Sequence, residues 1–397
     1  MNTCFSYQDR QLTLIRYPAK HQHKSLQAWD SADELIIDHL SSTDHVLFEG
    51  QCSIFNDDFG ALGTWFADRQ PYWYSDSWIA HCSLAANLEA NNIAVSIGPL
   101  GQVCAPVTAS GDLTSLPEAP GLVIFKIPRT LALLEEQLAQ LRHRVTPSTQ
   151  VVAAAKTKAV TRTVLALFEK YLGPTTTSLA QKKSRLIFCT PAQTVMDNAG
   201  SSPYPTVWRQ RASTGIDLQI ANHANVFSRG SVDIGARLLL EHMHVTNQEQ
   251  VIDLGCGNGV LGLNALAMAP HSQVTFVDES FMALQSAREN VLDNFPDALN
   301  QCRFIASNCL ESLLAQGQQA SQDKVLCNPP FHQQNAVTDH IAWQMFHDSR
   351  DILRRGGHLI VVANRHLGYH VQLKRLFGGV KVLASNRKFV ILSAAKR

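Results

Sequence analysis

The chain has 397 residues, of which 45% are hydrophobic and 17% charged, and its net charge is +1. That length exceeds one typical domain, and the composition supports packed cores rather than disorder. A charge so close to zero neither requires nor excludes a nucleic-acid partner, while nine scattered cysteines without a CxxC pair argue against a zinc framework or a disulfide scaffold.

The amino terminus, "MNTCFSYQDRQLTL", has no basic start followed by an apolar run, so no secretory leader is expected. No apolar stretch approaches the roughly 18 residues of a membrane span. Reduced thiols in a cytoplasmic protein, with no membrane and no obligate protein partner, fit best. Neither His21-Gln22-His23 nor His242-Met243-His244 has acidic or cysteine companions, so no metal is expected. Basic clusters at Leu141–Arg144, Lys182–Arg185, Arg209–Arg211 and Leu353–Arg355 read as solvated surface unless folding gathers them on one face.

Four stretches of the first half acquire meaning only beside the second: "NDDFGALG" (Asn56–Gly63), "YSDS" (Tyr74–Ser77), "VIFKIPRT" (Val123–Thr130) and "QVVAAAKTK" (Gln150–Lys158). A Ser/Pro/Gly-rich span, "TPAQTVMDNAGSSPYP" (Thr190–Pro205), has linker composition. Next comes "NVFSRGSVDIGARLLLEH" (Asn225–His242), where Phe227, Ser228 and Arg229 lead into a helix. This stretch either caps the sheet edge or closes over a ligand.

The segment "EQVIDLGCGNGVLGLNAL" (Glu249–Leu266) is the most informative. A strand ending in Asp253 runs into Gly255-x-Gly257-x-Gly259 and then a helical pattern, the first half of a nucleotide-binding βαβ unit. Glycines there let the backbone approach a ligand closely. About 20 residues on, "VTFVDES" ends a second strand in Asp278, a carboxylate placed to accept both ribose hydroxyls or to cap a helix. A third run ends in Asn308 and a fourth, "KVLCNPPF", in Asn328. "HLIVVAN" follows a helix as the fifth strand, and "GVKVLAS" with "KFVILSA" reads as a hairpin. The expected class is α/β, a mostly parallel sheet with a C-terminal antiparallel hairpin. Asp253, Asp278, Asn308 and Asn328 would all lie at its carboxyl edge, where such sheets bind ligands.

"NPPF" suits chemistry on a planar amine. An exocyclic nitrogen of guanine or adenine is a poor nucleophile because its lone pair is delocalised into the ring. The Asn328 side-chain oxygen and the Pro329 carbonyl could accept from both N–H groups, pre-oriented by the prolines, and Phe331 could stack on the base. A glutamine amide would fit the same acceptors.

These motifs resemble the class I S-adenosylmethionine-dependent methyltransferases: "DLGCGNG" matches the cofactor loop, "VDES" the ribose carboxylate and "NPPF" the amine-methylating motif. The resemblance implies that S-adenosylmethionine is the cofactor, with Asp253, Gly255, Gly257, Gly259, Asp278 and Asn308 around it and Asn308 at the adenine. Laid over this half at a separation of about 200 residues, the four early stretches read as a worn duplicate. There Asp58 replaces Gly257 and Lys126, a donor only, replaces Asn328. Two tandem Rossmann-like domains follow: a degenerate copy over 1–190 that binds RNA or stabilises its neighbour, a linker over 191–205 and a catalytic domain over 206–397.

Two consecutive halves with only the second intact resemble the bacterial ribosomal RNA guanine-N2 methyltransferases of the RsmC/RlmG family. "LQAWDSADE", "LGPTTTSLAQKKSRL", "NHANVFSR", "CNPPFHQQ" and "VVANRHL" look like its large-subunit member. The resemblance implies methylation of a guanine N2 in 23S rRNA, met before complete subunit assembly. The alternatives are the same reaction on 16S rRNA and an inactive RNA-binding scaffold.

Overall fold

The computed structural model describes residues 2–19, 26–42, 50–330 and 336–397. The chain divides into two compact units, Met1–Pro203 and Tyr204–Arg397. Among the described residues no helix is long and apolar enough to cross a membrane.

The first unit opens with hairpin strands β1 (Cys4–Tyr7) and β2 (Arg10–Thr13), then helix α1 (Ser31–Ser42). Strand β3 (Cys52–Phe55), α2 (Ala61–Trp65), β4 (Tyr72–Tyr74) and α3 (Trp78–Ala90) follow. A small ribbon, β5 (Ser96–Ile97) with β6 (Val103–Ala105), precedes β7 (Thr108–Ser110). The unit ends with β8 (Leu122–Lys126), α4 (Leu131–Leu141), β9 (Gln150–Lys156), α5 (Arg162–Tyr171), β10 (Thr175–Thr177), β11 (Ser184–Cys189) and α6 (Gln193–Asn198). That last helix lies inside the span of linker composition.

The second unit repeats the plan. Hairpin β12 (Thr206–Arg211) and β13 (Asp217–Asn222) lead to α7 (Ile234–His242), β14 (Gln250–Leu254), α8 (Val260–Met268) and β15 (Gln273–Asp278). Next come α9 (Phe281–Asn294), β16 (Cys302–Ala306), α10 (Glu311–Ala315), β17 (Gln322–Cys327) and α11 (Ala336–Ile352). Strand β18 (Leu353–Asn364), α12 (Tyr369–Phe377), β19 (Lys381–Ser385) and β20 (Phe389–Ala395) complete it.

Both seven-stranded sheets have the same order. It is β10-β11-β9-β8-β3-β4-β7 in the first unit and β16-β15-β14-β17-β18-β20-β19 in the second. Numbered within each unit, both read 3-2-1-4-5-7-6 from the third-strand edge. The first five strands pair in parallel and the last two antiparallel. This is the α/β class expected, with the terminal hairpin closing one edge. In the second unit apolar side chains fill both sheet faces. Leu326, Ile360 and Val362 pack beneath Leu239, Leu263 and Ala287, and Val325, Leu359 and Val361 pack against Phe346 and Leu373. Burial on both faces is what near-continuous apolar strands such as "KVLC" require.

The strongest sign of duplication is polar. On α9, Ser286, Asn290 and Asn294 stand four residues apart on one face and grip the extended chain beside it. Ser286 Oγ accepts the His223 N–H at 3.0 Å, and Asn290 Oδ1 the Ala221 N–H at 2.7 Å. Asn294 exchanges two bonds with Gln219, at 2.9 and 2.8 Å. Ser83 and Asn87 on α3 and Asn91 at its C-cap do the same to Tyr17, Ile15 and Thr13. Asn290 also donates to the Asn258 carbonyl in the glycine loop, and Asn87 to the corresponding Phe59 carbonyl.

Candidate active site

The glycine loop is built by strand β14 ending and helix α8 starting over a tight bend. Gly257 and Gly259 have φ values of 54° and 82°, in the left-handed region that side-chain-bearing residues avoid. At Gly259 a Cβ would lie 2.9 Å from that of Ala287, so the bend also presses on α9. A Cβ at Gly257 would meet nothing within 4 Å. Packing explains Gly259, whereas Gly257 borders open space, as a loop that receives a ligand must.

Asp253 lies beneath this loop rather than facing its open side. It is fully buried, and its Oδ2 accepts the Gly262 N–H at 2.8 Å. Its Oδ1 has no hydrogen-bond partner among the described residues. Burial pushes the carboxyl up to about 8, opposed by the Gly262 bond and reinforced by Asp278. Asp253 therefore supports the loop from below.

Asp278 ends β15 and is half-buried. Its Oδ2 accepts the Gly257 N–H at 2.9 Å and its Oδ1 the Ser280 N–H at 3.0 Å. Burial raises its pKa against those bonds. The cap of α9 is Ser280, whose side chain accepts the Ala283 N–H. The helix-cap alternative for Asp278 is thereby corrected. The carboxylate fastens the glycine loop to the second strand, and each oxygen keeps a lone pair for a ligand hydroxyl.

Asn308 lies just beyond β16, nearly buried, with its amide 3.5 Å from Gln344 Oε1. Gln344 is oriented in turn by Glu311 at 2.7 Å. Asn328 follows β17 directly. Strand β17 is fully buried, and Pro329 is buried beside it. Asn328 Oδ1 is sealed and has no hydrogen-bond partner among the described residues. Phe331 lies outside the described residues. The structure thus places Asp253, the three glycines, Asp278, Asn308 and Asn328 along one carboxyl edge.

The first unit occupies the corresponding positions differently. Gly60 and Gly63 are retained, and Gly63 N–H is accepted by Asp57 at 2.8 Å, as Gly262 is by Asp253. Ser75 stands where Asp278 does, and its Oγ accepts the Ser77 N–H at 3.2 Å. The turn survives without the carboxylate. At the end of β8, Lys126 Nζ lies 2.6 Å from Asp33 and 3.2 Å from Asp30. Burial disfavours the ammonium, but Asp33 and Asp30 outweigh it and raise the Lys126 pKa. Burial pushes Asp33 up to about 7 despite Lys126. An ion pair there stands where the second unit has Asn328.

Sequence reasoning missed the Ser/Asn ladders and the Asn222–Asn258 bond of 2.8 Å that ties the hairpin to the loop. A readable signal existed: "SLAANLEAN" and "SARENVLDN" carry Ser, Asn and Asn at the same four-residue spacing.

A sheet of order 3-2-1-4-5-7-6 with a glycine loop on its first strand and a carboxylate on its second defines the class I methyltransferase fold. Consistently, residues 217–393 match the methyltransferase small domain and residues 2–193 the RLMG N-terminal domain. Over its full length and theirs, the chain is 58% identical to the ribosomal RNA large subunit methyltransferase G of Alteromonas mediterranea and 51% to that of Pseudoalteromonas atlantica. It belongs to the ribosomal RNA large subunit methyltransferase G family. Among solved structures it is similar to the Thermus thermophilus 16S rRNA N2 G1207 methyltransferase (RsmC) in complex with AdoMet and guanosine. That match has a TM-score of 0.74 at 20% identity and covers 100% of this chain and 98% of the other. At that identity it speaks for the fold.

Proposed function

We propose that the chain transfers a methyl group from S-adenosylmethionine to the N2 amine of one guanine in 23S rRNA, in the cytoplasm and before complete subunit assembly. The names of its full-length relatives support the large-subunit target. Those relatives are much closer in sequence than the 16S-modifying enzyme that shares its fold. Residues 206–397 would be catalytic, residues 1–190 a degenerate copy and residues 191–205 the link between them.

The residues present fit the cofactor. Gly257 leaves open space, Asp278 offers a half-buried carboxylate for the ribose, and α8 turns its N-terminus toward the loop, where its dipole favours a carboxylate. Asn308 would meet the adenine. Bound there, S-adenosylmethionine supplies an electrophilic methyl group.

The observation that carries the reading is Asn328 Oδ1, an acceptor with no hydrogen-bond partner among the described residues, at the end of the central strand β17. Asn328 Oδ1 and the Pro329 carbonyl would accept from the two N–H groups of the target amine. Drawing both into hydrogen bonds localises the nitrogen lone pair and aims it. Because the acceptors are held before the base arrives, little reorganisation remains at the moment of reaction. A guanine within a helix must first leave the stack, and Phe331 would hold its flipped ring. The excess proton leaves after transfer, so no dedicated base is needed in the transition state.

Asn328→Ala tests this role. It removes one acceptor, so turnover should fall about 100-fold or more, by analogy with the loss of one preorganised hydrogen-bonding group. S-adenosylmethionine affinity should stay within about threefold. Turnover close to that of the unaltered protein would defeat the assignment.

A further inference from the structure

The two copies of the fold can be compared position by position, because their helix caps coincide. Asp30 accepts the Ala32 and Asp33 N–H groups at the start of α1, and Asp233 those of Gly235 and Ala236 at the start of α7. Counting from these caps, Ser31, Asp33 and Glu34 of the first copy correspond to Ile234, Ala236 and Arg237 of the second. Two acids have disappeared and one cation has been gained.

Those exchanges set the charge at the carboxyl edge of each sheet. In the first unit three of the lysines there are matched by acids from α1 and its cap, while Lys158 and Lys183 form no ion pair among the described residues. Lys126 pairs with Asp33 and Asp30, Lys156 lies 3.8 Å from Asp30, and Lys182 lies 2.6 Å from Glu34. In the second unit β18 runs on into Arg365, and the turn between β19 and β20 carries Arg387 and Lys388. The Arg365 N–H donates to the Lys388 carbonyl at 3.0 Å, and its guanidinium donates to the Asn386 carbonyl at 3.2 Å. These bonds hold the two turns side by side. All three cations are exposed, and among the described residues none forms an ion pair. The remaining acid at the start of α7, Asp233, is engaged by helix N–H groups.

This ledge neighbours the candidate site. Strands β17 and β18 are parallel neighbours with Cys327 opposite Val361. Strand geometry then puts Arg365 on the order of 10 Å from Asn328. Three unneutralised cations cost stability through mutual repulsion, whereas in the first copy Lys126, Lys156 and Lys182 at the same edge are held by acids. A polyanion lying along this edge would account for the imbalance.

We propose that Arg365, Arg387 and Lys388 form a phosphate-binding ledge for the RNA strand that delivers its guanine to Asn328. The proposal rests on the functional reading above and assigns the grip on the flanking backbone to the second unit.

Binding of transcribed 23S rRNA across a salt series tests it. Removing two phosphate contacts in Arg387→Gln/Lys388→Gln should lower the slope of log affinity against log salt by about 1.4–1.8. The KM for RNA should rise more than kcat falls, with S-adenosylmethionine affinity retained. Arg387→Lys should restore most of the slope in the presence of Lys388, and Lys182→Gln, which removes a cation already paired with Glu34, should leave it unchanged. If the double variant melts early, Arg387→Gln alone decides, with an expected drop of about 0.7–0.9. An unchanged slope and RNA affinity would overturn the ledge. A wild-type protein that methylates no rRNA would instead defeat the functional reading, so the two failures are told apart in one series.

Discussion

Replacing Asp278 with serine installs in the second unit what the first unit already carries at Ser75. The first unit shows what the turn retains, because Ser75 Oγ accepts the Ser77 N–H at 3.2 Å where Asp278 accepts Ser280 at 3.0 Å. What the variant loses is the second oxygen, which accepts the Gly257 N–H at 2.9 Å, and the negative charge. Hydrogen bonds to a charged group contribute about 1.5–3 kcal/mol each. Two ribose hydroxyls would lose that partner, and the serine hydroxyl recovers part of one bond, leaving a net loss of about 3 kcal/mol. That is about a 100-fold weaker Kd for S-adenosylmethionine, measurable by isothermal titration calorimetry. The folded state should change by no more than about 1 kcal/mol in urea unfolding, because removing a buried charge offsets the lost loop bond. A Kd within about threefold of the original would refute the role given to Asp278.

Asn290→Ala should destabilise the protein by about 3 kcal/mol or more, since it strands two carbonyls and one N–H. An unchanged urea midpoint would show that the ladder does not hold the hairpin. Asp253→Asn should alter the pH dependence of stability. A carboxyl raised to about 8 from 3.8 binds a proton in the folded state that the unfolded chain has released. Its penalty is therefore absent below about pH 4, grows as pH rises, and is complete above about pH 8. The difference in Tm between variant and wild type should move in the variant's favour between pH 5 and pH 8; a constant difference would contradict the buried-charge account.

The strand plan of the second unit was legible because apolar runs alternate with helical patterns and end in polar residues at regular intervals. The glycine spacing announced a bend, and the duplication showed the same plan in the first half. What was not legible lies in tertiary contacts between distant residues. Asp253 and Asp278 both end strands with the same chemistry, yet one is sealed under the loop and the other remains half-buried. Only packing separates them. Lys126 could be read as unable to accept a hydrogen bond, but not as the partner of Asp33, 93 residues away. The Ser/Asn ladders look like ordinary exposed polar positions until the hairpin they grip is in place. The charge of the ledge likewise depends on α1 and α7 meeting the strand ends.

The central claim is that one guanine of 23S rRNA is methylated at N2. The direct measurement supplies labelled S-adenosylmethionine with 16S and 23S rRNA, naked and in subunits, and identifies the modified nucleoside by mass spectrometry. The account predicts N2-methylguanosine at one position of 23S rRNA. Label on 16S rRNA alone, or on an adenine, would contradict it.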